Sequence, residues 1–317
     1  MLAIVCPGQG SQTPGFLSPW LELAGLREQA AALSSAADVD LVAHGTTSDA
    51  DTIRDTAVAQ PLIVGAGLLA LDALFADQPA TLAETTGVTA GHSVGEITAA
   101  AGAGVLSHAD ALALVTVRGR AMARASALTP TGMSAVLGGD PSEVLEVLER
   151  HGLTPANVNG AGQVVAAGTA EQLAALTADP PARARVIPLQ VAGAFHTEHM
   201  RPAVDAMREQ ASGLETHDPR VALLSNADGA VVRDGAGVVA RLVTQVSNPV
   251  RWDLCMEAMT SLGVTGLIEL APAGTLVGLA KRAMKGVELV ALKTPDDLEA
   301  ARALVRHHST ANPEDRP

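Results

Sequence analysis

Short apolar runs alternate with longer stretches in which apolar residues recur every three or four positions, from the first residues to about position 300. Strand-like runs interleaved with amphipathic helical ones predict an α/β fold, a mainly parallel sheet covered by helices. The first strand is expected at Leu2–Cys6, helices at about 20–35 and 59–77, a second strand over Thr86–Ala90 and a helix over Glu96–Ala101. Ser107-His108-Ala109-Asp110 has the form of a capping box, opening a helix that runs to about Ser126. Between about 130 and 190 the pattern changes. Met133–Leu137 is strand-like, 141–151 helical behind the N-cap Asp140 and Pro141, Val158 and Gln163–Ala167 extended, Glu171–Leu176 helical and Arg185–Leu189 extended. That β-α-β-β-α-β order predicts a small ferredoxin-like unit. The larger alternation then resumes, with strands at Val221–Leu224 and Gly266–Leu270.

Composition narrows the class. A chain of 317 residues can bury a large core as one large domain with a smaller insertion. The formal charge of −13 argues against nucleic acid as the main partner. No uninterrupted apolar run reaches the roughly 18 residues of a membrane span. The chain opens directly on a strand, so no leader segment is expected. Two cysteines, Cys6 and Cys255, lie far apart in apolar segments. They make neither a disulfide framework nor a metal cluster, which suits a reducing cytoplasm. The expectation is an acidic cytoplasmic protein for which a monomer suffices, with no metal.

Candidate chemistry begins at the carboxyl ends of the first two strands. Pro7-Gly8-Gln9-Gly10-Ser11-Gln12 follows strand one, where open α/β sheets place their ligands. It carries neither a dinucleotide fingerprint nor a phosphate loop. Gly91-His92-Ser93-Val94-Gly95 follows strand two and opens a helix, the setting of a nucleophile elbow. Ser93 is the candidate nucleophile; the bland alternative is a glycine-rich turn with a bystander serine. The elbow predicts a large α/β-hydrolase-like domain over 1–127 and 193–305, with the ferredoxin-like subdomain inserted at 128–192 and a polar tail at 306–317.

Of nine histidines, His196 has the most suitable setting, just past a predicted strand among small and apolar residues. It is the candidate base, and a hydrogen-bonded core histidine is the alternative. The aspartates between Ser93 and His196 are accounted for by caps and turns, so a Ser-His dyad is expected, its ring held by a backbone carbonyl or an amide side chain. Arg118 shares a helix face with Ala111, Leu114, Val115 and Met122. A guanidinium on an inward apolar face needs an anionic partner. A substrate carboxylate gripped beside Ser93 would serve, and so would an internal acid such as Glu96; a snorkelling side chain is the third possibility.

Together these segments resemble the malonyl-CoA:acyl-carrier-protein transacylases of fatty acid and polyketide synthesis, across almost the whole chain and in order. Pro7–Gln12 looks like the family's opening loop, Gly91–Glu96 like its serine elbow and Val117-Arg118-Gly119-Arg120 like its substrate-carboxylate helix. Asn157-Val158-Asn159 with Gln163-Val164-Val165 resembles its small-subdomain motif, Ala194-Phe195-His196-Thr197 its histidine motif, and Gln245–Trp252 its late loop. The resemblance implies Ser93 as nucleophile, His196 as base, and the Gln245 carbonyl orienting the imidazole. It also implies an oxyanion hole from the amides of Gln9 and Val94, and Arg118 gripping a malonyl carboxylate with Met122, Phe195 and Asn159 in the substrate site. Ala194-Phe195 and Val94 favour malonyl over methylmalonyl, although Gly193 stands where the commonest malonyl motif has histidine.

The partners so implied are malonyl-CoA and an acyl carrier protein, with no cofactor, nucleic acid or membrane. A carrier protein is usually acidic, which makes Lys281, Arg282 and Lys285, close together in one predicted helix, candidates for docking; a solvated helix face is the plainer alternative. A serine esterase or thioesterase using the same Ser-His pair is the rival enzyme, and a non-catalytic acyl-CoA-binding subunit the rival of another class.

Overall fold

The computed structural model describes residues 1–76 and 78–309. Its strands, in chain order, are β1 (Leu2–Cys6), β2 (Val88–Gly91), β3 (Thr131–Gly138), β4 (Thr154–Gly160), β5 (Gln163–Thr169), β6 (Ala184–Pro188), β7 (Ala222–Leu224), β8 (Val231–Val232), β9 (Val250–Arg251), β10 (Gly266–Glu269) and β11 (Glu288–Ala291). They form two sheets. The larger has the order β11-β10-β1-β2-β7-β8 and is parallel except for its β7–β8 edge pair. Every residue of β1, β2 and β10 is buried. Strands covered on both faces carry no polar alternation, which is why they stand out as continuous apolar runs.

The smaller sheet has the order β6-β3-β5-β4-β9. Its first four strands pair antiparallel and, with the Pro141–Arg150 and Ala170–Ala178 helices, form the ferredoxin-like arrangement around Val136, Val144, Val147, Leu148 and Leu176. β9 adds to it from far along the chain, parallel to β4, with Asn157 opposite Val250. The small sheet therefore draws a strand from beyond residue 192, and two residues of strand are too short to leave a periodic signal.

Helix boundaries differ from expectation for identifiable reasons. The segment 20–35 is a 3₁₀ turn, Trp20–Glu22, and a helix, Leu26–Ala37, separated where Gly25 takes φ 81°. The next long helix is Thr56–Phe75, begun early because the Asp55 carboxylate caps the Ala57 amide. It is long and apolar enough to cross a membrane by length and composition, yet it lies inside the core against the His108–Ser126 helix. The last helix, Leu298–Ser309, buries Ala301, Leu304 and Val305 and carries regular structure into the segment expected to be a polar tail; residues 310–317 lie outside the described residues. What matters for function is that β1 and β2 end side by side, so the Pro7–Gln12 loop and the Ser93 turn leave the same edge of the sheet.

Candidate active site

β2 ends at Gly91 and the Gly95–Gly102 helix begins four residues later, so Ser93 sits at the apex of a very tight turn, at φ 54°. A non-glycine residue in that region stores about 1 kcal/mol or more of strain. The turn is possible only because its flanks lack side chains. A Cβ on Gly91 would lie 1.9 Å from the Gly95 carbonyl carbon, and one on Gly95 would lie 2.2 Å from the Cys6 oxygen. The Ser93 amide donates to Asn226 Oδ1 at 2.7 Å, and Asn226 Nδ2 donates to the Gly91 oxygen at 2.8 Å. Asn226 thus clamps both sides of the apex and takes up the serine's own N–H.

His196 also adopts a left-handed backbone, at φ 61°. Its Nε2 lies 2.7 Å from Ser93 Oγ and its Nδ1 3.0 Å from the Gln245 main-chain oxygen. A carbonyl can only accept, so Nδ1 carries the proton and Nε2 is free to receive the serine's. The ring is held by a backbone carbonyl, not by an acid. Burial first, and the nearby Arg118 charge second, push its pKa down to about 3. The imidazole is therefore neutral at rest, and negative charge appearing on a substrate oxygen makes its protonation easier. Upstream, Gly193 answers a packing demand: a Cβ there would fall 2.3 Å from Ser126 Oγ, at the end of the Arg118 helix. Any side chain at 193 would require Ser126 to shift.

Arg118 is 1% exposed, which rules out snorkelling. Its Nη1 donates to Gln60 Oε1 at 2.7 Å, and its Nη2 to Gln245 Oε1 at 2.8 Å and to Ser93 Oγ at 3.3 Å. None of these acceptors is a carboxylate. Burial lowers the guanidinium's pKa to about 10, partly offset by Glu96, so the group stays charged. Glu96 reaches it only through the Gln245 carboxamide, which donates to the Glu96 carboxylate. A buried cation beside Ser93, satisfied by neutral amides and with no direct ion pair among the described residues, is a ready receptor for an anionic group.

The amide N–H groups of Gln9 and Val94 donate to no acceptor among the described residues. The loop carrying Gln9 is held against the elbow: Gln9 Nε2 donates to the Arg54 oxygen, and a Cβ on Gly8 would sit 3.0 Å from the His92 oxygen. Asn159 Oδ1 accepts from His92 Nε2 at 2.8 Å, so its carbonyl is engaged by the elbow histidine. Met122 is buried with its sulfur facing Gln60 Nε2, and Phe195 is 7% exposed. Lys281 and Arg282 lie exposed in the last turn of the Thr275–Ala283 helix, whose other face is buried, but Lys285 lies beyond it, because the helix stops at Ala283. Arg282 donates to Gln163 Oε1 on β5, tying this surface to the small sheet.

Three side chains central to the site were not assigned roles from sequence: Gln60, Asn226 and, beyond its possible ion pair, Glu96. A lone amide inside the apolar Thr56–Phe75 helix marked Gln60, and a buried polar pair just past β7 marked Asn226.

The family model for the acyl transferase domain matches residues 3–306. The chain is 54% identical over 299 residues to the malonyl CoA-acyl carrier protein transacylase of Mycobacterium tuberculosis (strain ATCC 25618 / H37Rv), covering 94% of this chain and 98% of that one. It is similar to the crystal structure of MCAT from Mycobacterium tuberculosis, with a TM-score of 0.91, 52% identity and coverage of 95% and 99%. It is also similar to a malonyl-transacylase solved in complex with its type II PKS acyl-carrier protein, with a TM-score of 0.87, 28% identity and coverage of 95% and 99%.

Proposed function

The chain belongs to the acyl transferase domain family, and from that premise we propose that it moves a malonyl group from malonyl-CoA to the phosphopantetheine thiol of an acyl carrier protein, through a malonyl ester on Ser93. The observation that carries this reading is the buried Arg118 guanidinium, 3.3 Å from Ser93 Oγ and bonded to no carboxylate. A hydrolase of neutral esters has no use for such a group; a malonyl transferase needs it to seat the substrate's free carboxylate.

Ser93 Oγ attacks the thioester carbonyl while its proton passes to His196 Nε2, 2.7 Å away. The amides of Gln9 and Val94 are the donors proposed for the tetrahedral oxygen; losing one such donor typically costs about 10²- to 10³-fold in rate. The intermediate collapses by expelling CoA sulfur, which takes the proton from His196. The carrier's thiol then attacks the malonyl ester, His196 removing its proton and returning it to Ser93 Oγ. One thioester is exchanged for another, so no redox partner is needed. Met122 and Phe195 supply apolar walls to the acyl site, and Asn159 acts there through His92. The burial of Arg118, His196 and Gln245 restricts the water that would release malonate. The two buried, unpaired cysteines are consistent with a cytoplasmic setting, where the product would serve as an extender unit for fatty acid or polyketide synthesis.

Intact-protein mass spectrometry tests the reading. Brief mixing with malonyl-CoA is expected to add one malonyl group, and added holo carrier protein should remove it by accepting it. An adduct that decays to malonate equally fast without the carrier would make the protein a thioesterase; no adduct would return the binding-subunit reading.

Docking of an acidic carrier is proposed at Lys281, Arg282 and Lys285, all exposed. Reversing Lys281 and Arg282 to glutamate should raise KM for the carrier about tenfold while leaving the rate of Ser93 loading by malonyl-CoA unchanged. Unaltered transfer kinetics would remove this face from consideration.

A further inference from the structure

Glu96 has no part in the steps just described, although it lies at the centre of the groups that perform them. It is 6% exposed, one residue into the elbow helix. One carboxylate oxygen accepts the Asn226 amide N–H at 2.6 Å and the other accepts the Gln245 carboxamide. Each partner has a second duty. Asn226 clamps the Ser93 turn through its own side chain. Gln245 receives Arg118 on Oε1 at 2.8 Å, donates from Nε2 to the Ser93 oxygen at 3.1 Å, and holds His196 on its main-chain oxygen.

A carboxamide has two ends of nearly equal shape, and its direction is decided by its partners. Arginine only donates, so Gln245 must show Arg118 its oxygen. An ionised carboxylate only accepts, so Glu96 demands the NH₂ at the opposite end. The two charged groups thus fix the same amide direction. An amide at position 96 would point its NH₂ at either Asn226 or Gln245 and lose one of the two bonds, and a protonated carboxyl would keep only a weaker acceptor at its hydroxyl oxygen.

We propose that Glu96 is a positioning residue: as an acceptor-only carboxylate it locks the Gln245 carboxamide, and through Gln245 it aligns Arg118 and His196 on Ser93. The inference rests on the malonyl-transfer reading of the same site. The charged and titratable groups facing Glu96 are Arg118, Arg241 and the Cys255 thiol, which burial keeps protonated. Beside it lies a cavity of about 10 Å³, with Leu224, Val238 and Arg241 in its walls, a space of the order of one water molecule. Burial outweighs the hydrogen bonds and both arginines, and raises the Glu96 pKa to about 7. Above that pH the carboxylate is ionised and the lock is set, and as pH falls through it the lock is released. His196, pushed down to about 3, does not titrate in this range.

The test compares kcat and KM for malonyl transfer between pH 5.5 and 8.5 in the wild type, Glu96→Gln and Glu96→Asp, with folding followed by circular dichroism. In the wild type, kcat should fall as pH drops below about 7. In Glu96→Gln, kcat at high pH should drop about 10- to 100-fold, with KM for malonyl-CoA within about threefold and the acid limb flattened, because misaligned reacting groups slow chemistry while the guanidinium keeps its charge. Glu96→Asp keeps an acceptor-only group and should recover part of kcat together with the limb. A Glu96→Gln protein with wild-type kcat, or one that keeps the acid limb, overturns the inference and leaves the transferase reading standing. If neither variant folds, the wild-type profile decides: a limb near pH 7 supports the inference and a flat profile overturns it. A wild type that transfers no malonyl group at any pH overturns both.

Discussion

Changing Ser93 to alanine is expected to lower malonyl transfer by roughly 10⁴-fold or more and to abolish the malonyl-enzyme species. The size follows from what the hydroxyl does. In the proposed reaction it is the atom that receives the acyl group; it faces the free nitrogen of His196 at 2.7 Å, and no other hydroxyl or thiol is within hydrogen-bonding distance of that nitrogen among the described residues. Both cysteines are buried with thiols held protonated, so neither substitutes. The fold should survive, because the turn is held by backbone groups of residue 93: the N–H to Asn226, and the carbonyl that accepts from Gln245 and from the Glu96 amide. Alanine at φ 54° keeps the strain already present, so the loss of stability should stay within about 1 kcal/mol. Transfer kinetics, intact mass and a thermal melt on the same sample check all three. Retention of more than a few per cent of wild-type transfer would show that the acyl group does not pass through Ser93.

Much of this architecture was legible because its signals are local. β1 and β10 are buried on both faces and appear as apolar runs; Ser107 caps the Asp110 amide, as the capping-box spacing requires. The elbow was legible because two glycines, a strand and a helix fall within a dozen residues, and each glycine is imposed by a backbone contact. Arg118 could be singled out because a cation interrupts an apolar helix face. What escaped was the second layer. Gln60, Asn226 and Glu96 come from three separate segments, and only the fold shows that their side chains meet around Arg118, Gln245 and Ser93. The short strands β8, β9 and β11 escaped for a related reason: at two to four residues, at or near sheet edges, their identity comes from pairing rather than from pattern.

The second large effect concerns selectivity. Arg118→Ala is expected to reduce kcat/KM for malonyl-CoA by about 10²- to 10³-fold, the cost of a few kcal/mol that follows truncating one partner of a buried charge pair. The same change should raise kcat/KM for acetyl-CoA. In the wild type an acetyl donor leaves the guanidinium buried without an anion, and that uncompensated charge also lowers the basicity of His196. In the proposed binding mode a malonyl donor cancels the charge with its carboxylate, so it should be both better bound and met by a stronger base. Removing the guanidinium takes away the penalty on acetyl and the reward for malonyl at once, which predicts an inversion rather than a uniform loss. The amide oxygens of Gln60 and Gln245 lose their donor in the variant, and this lowers the ceiling for acetyl turnover without reversing its direction. Steady-state kinetics with both donors on wild type and Arg118→Ala separates the cases. If both donors decline by the same factor, Arg118 is a scaffold for the site, and the anion that defines the substrate is recognised elsewhere.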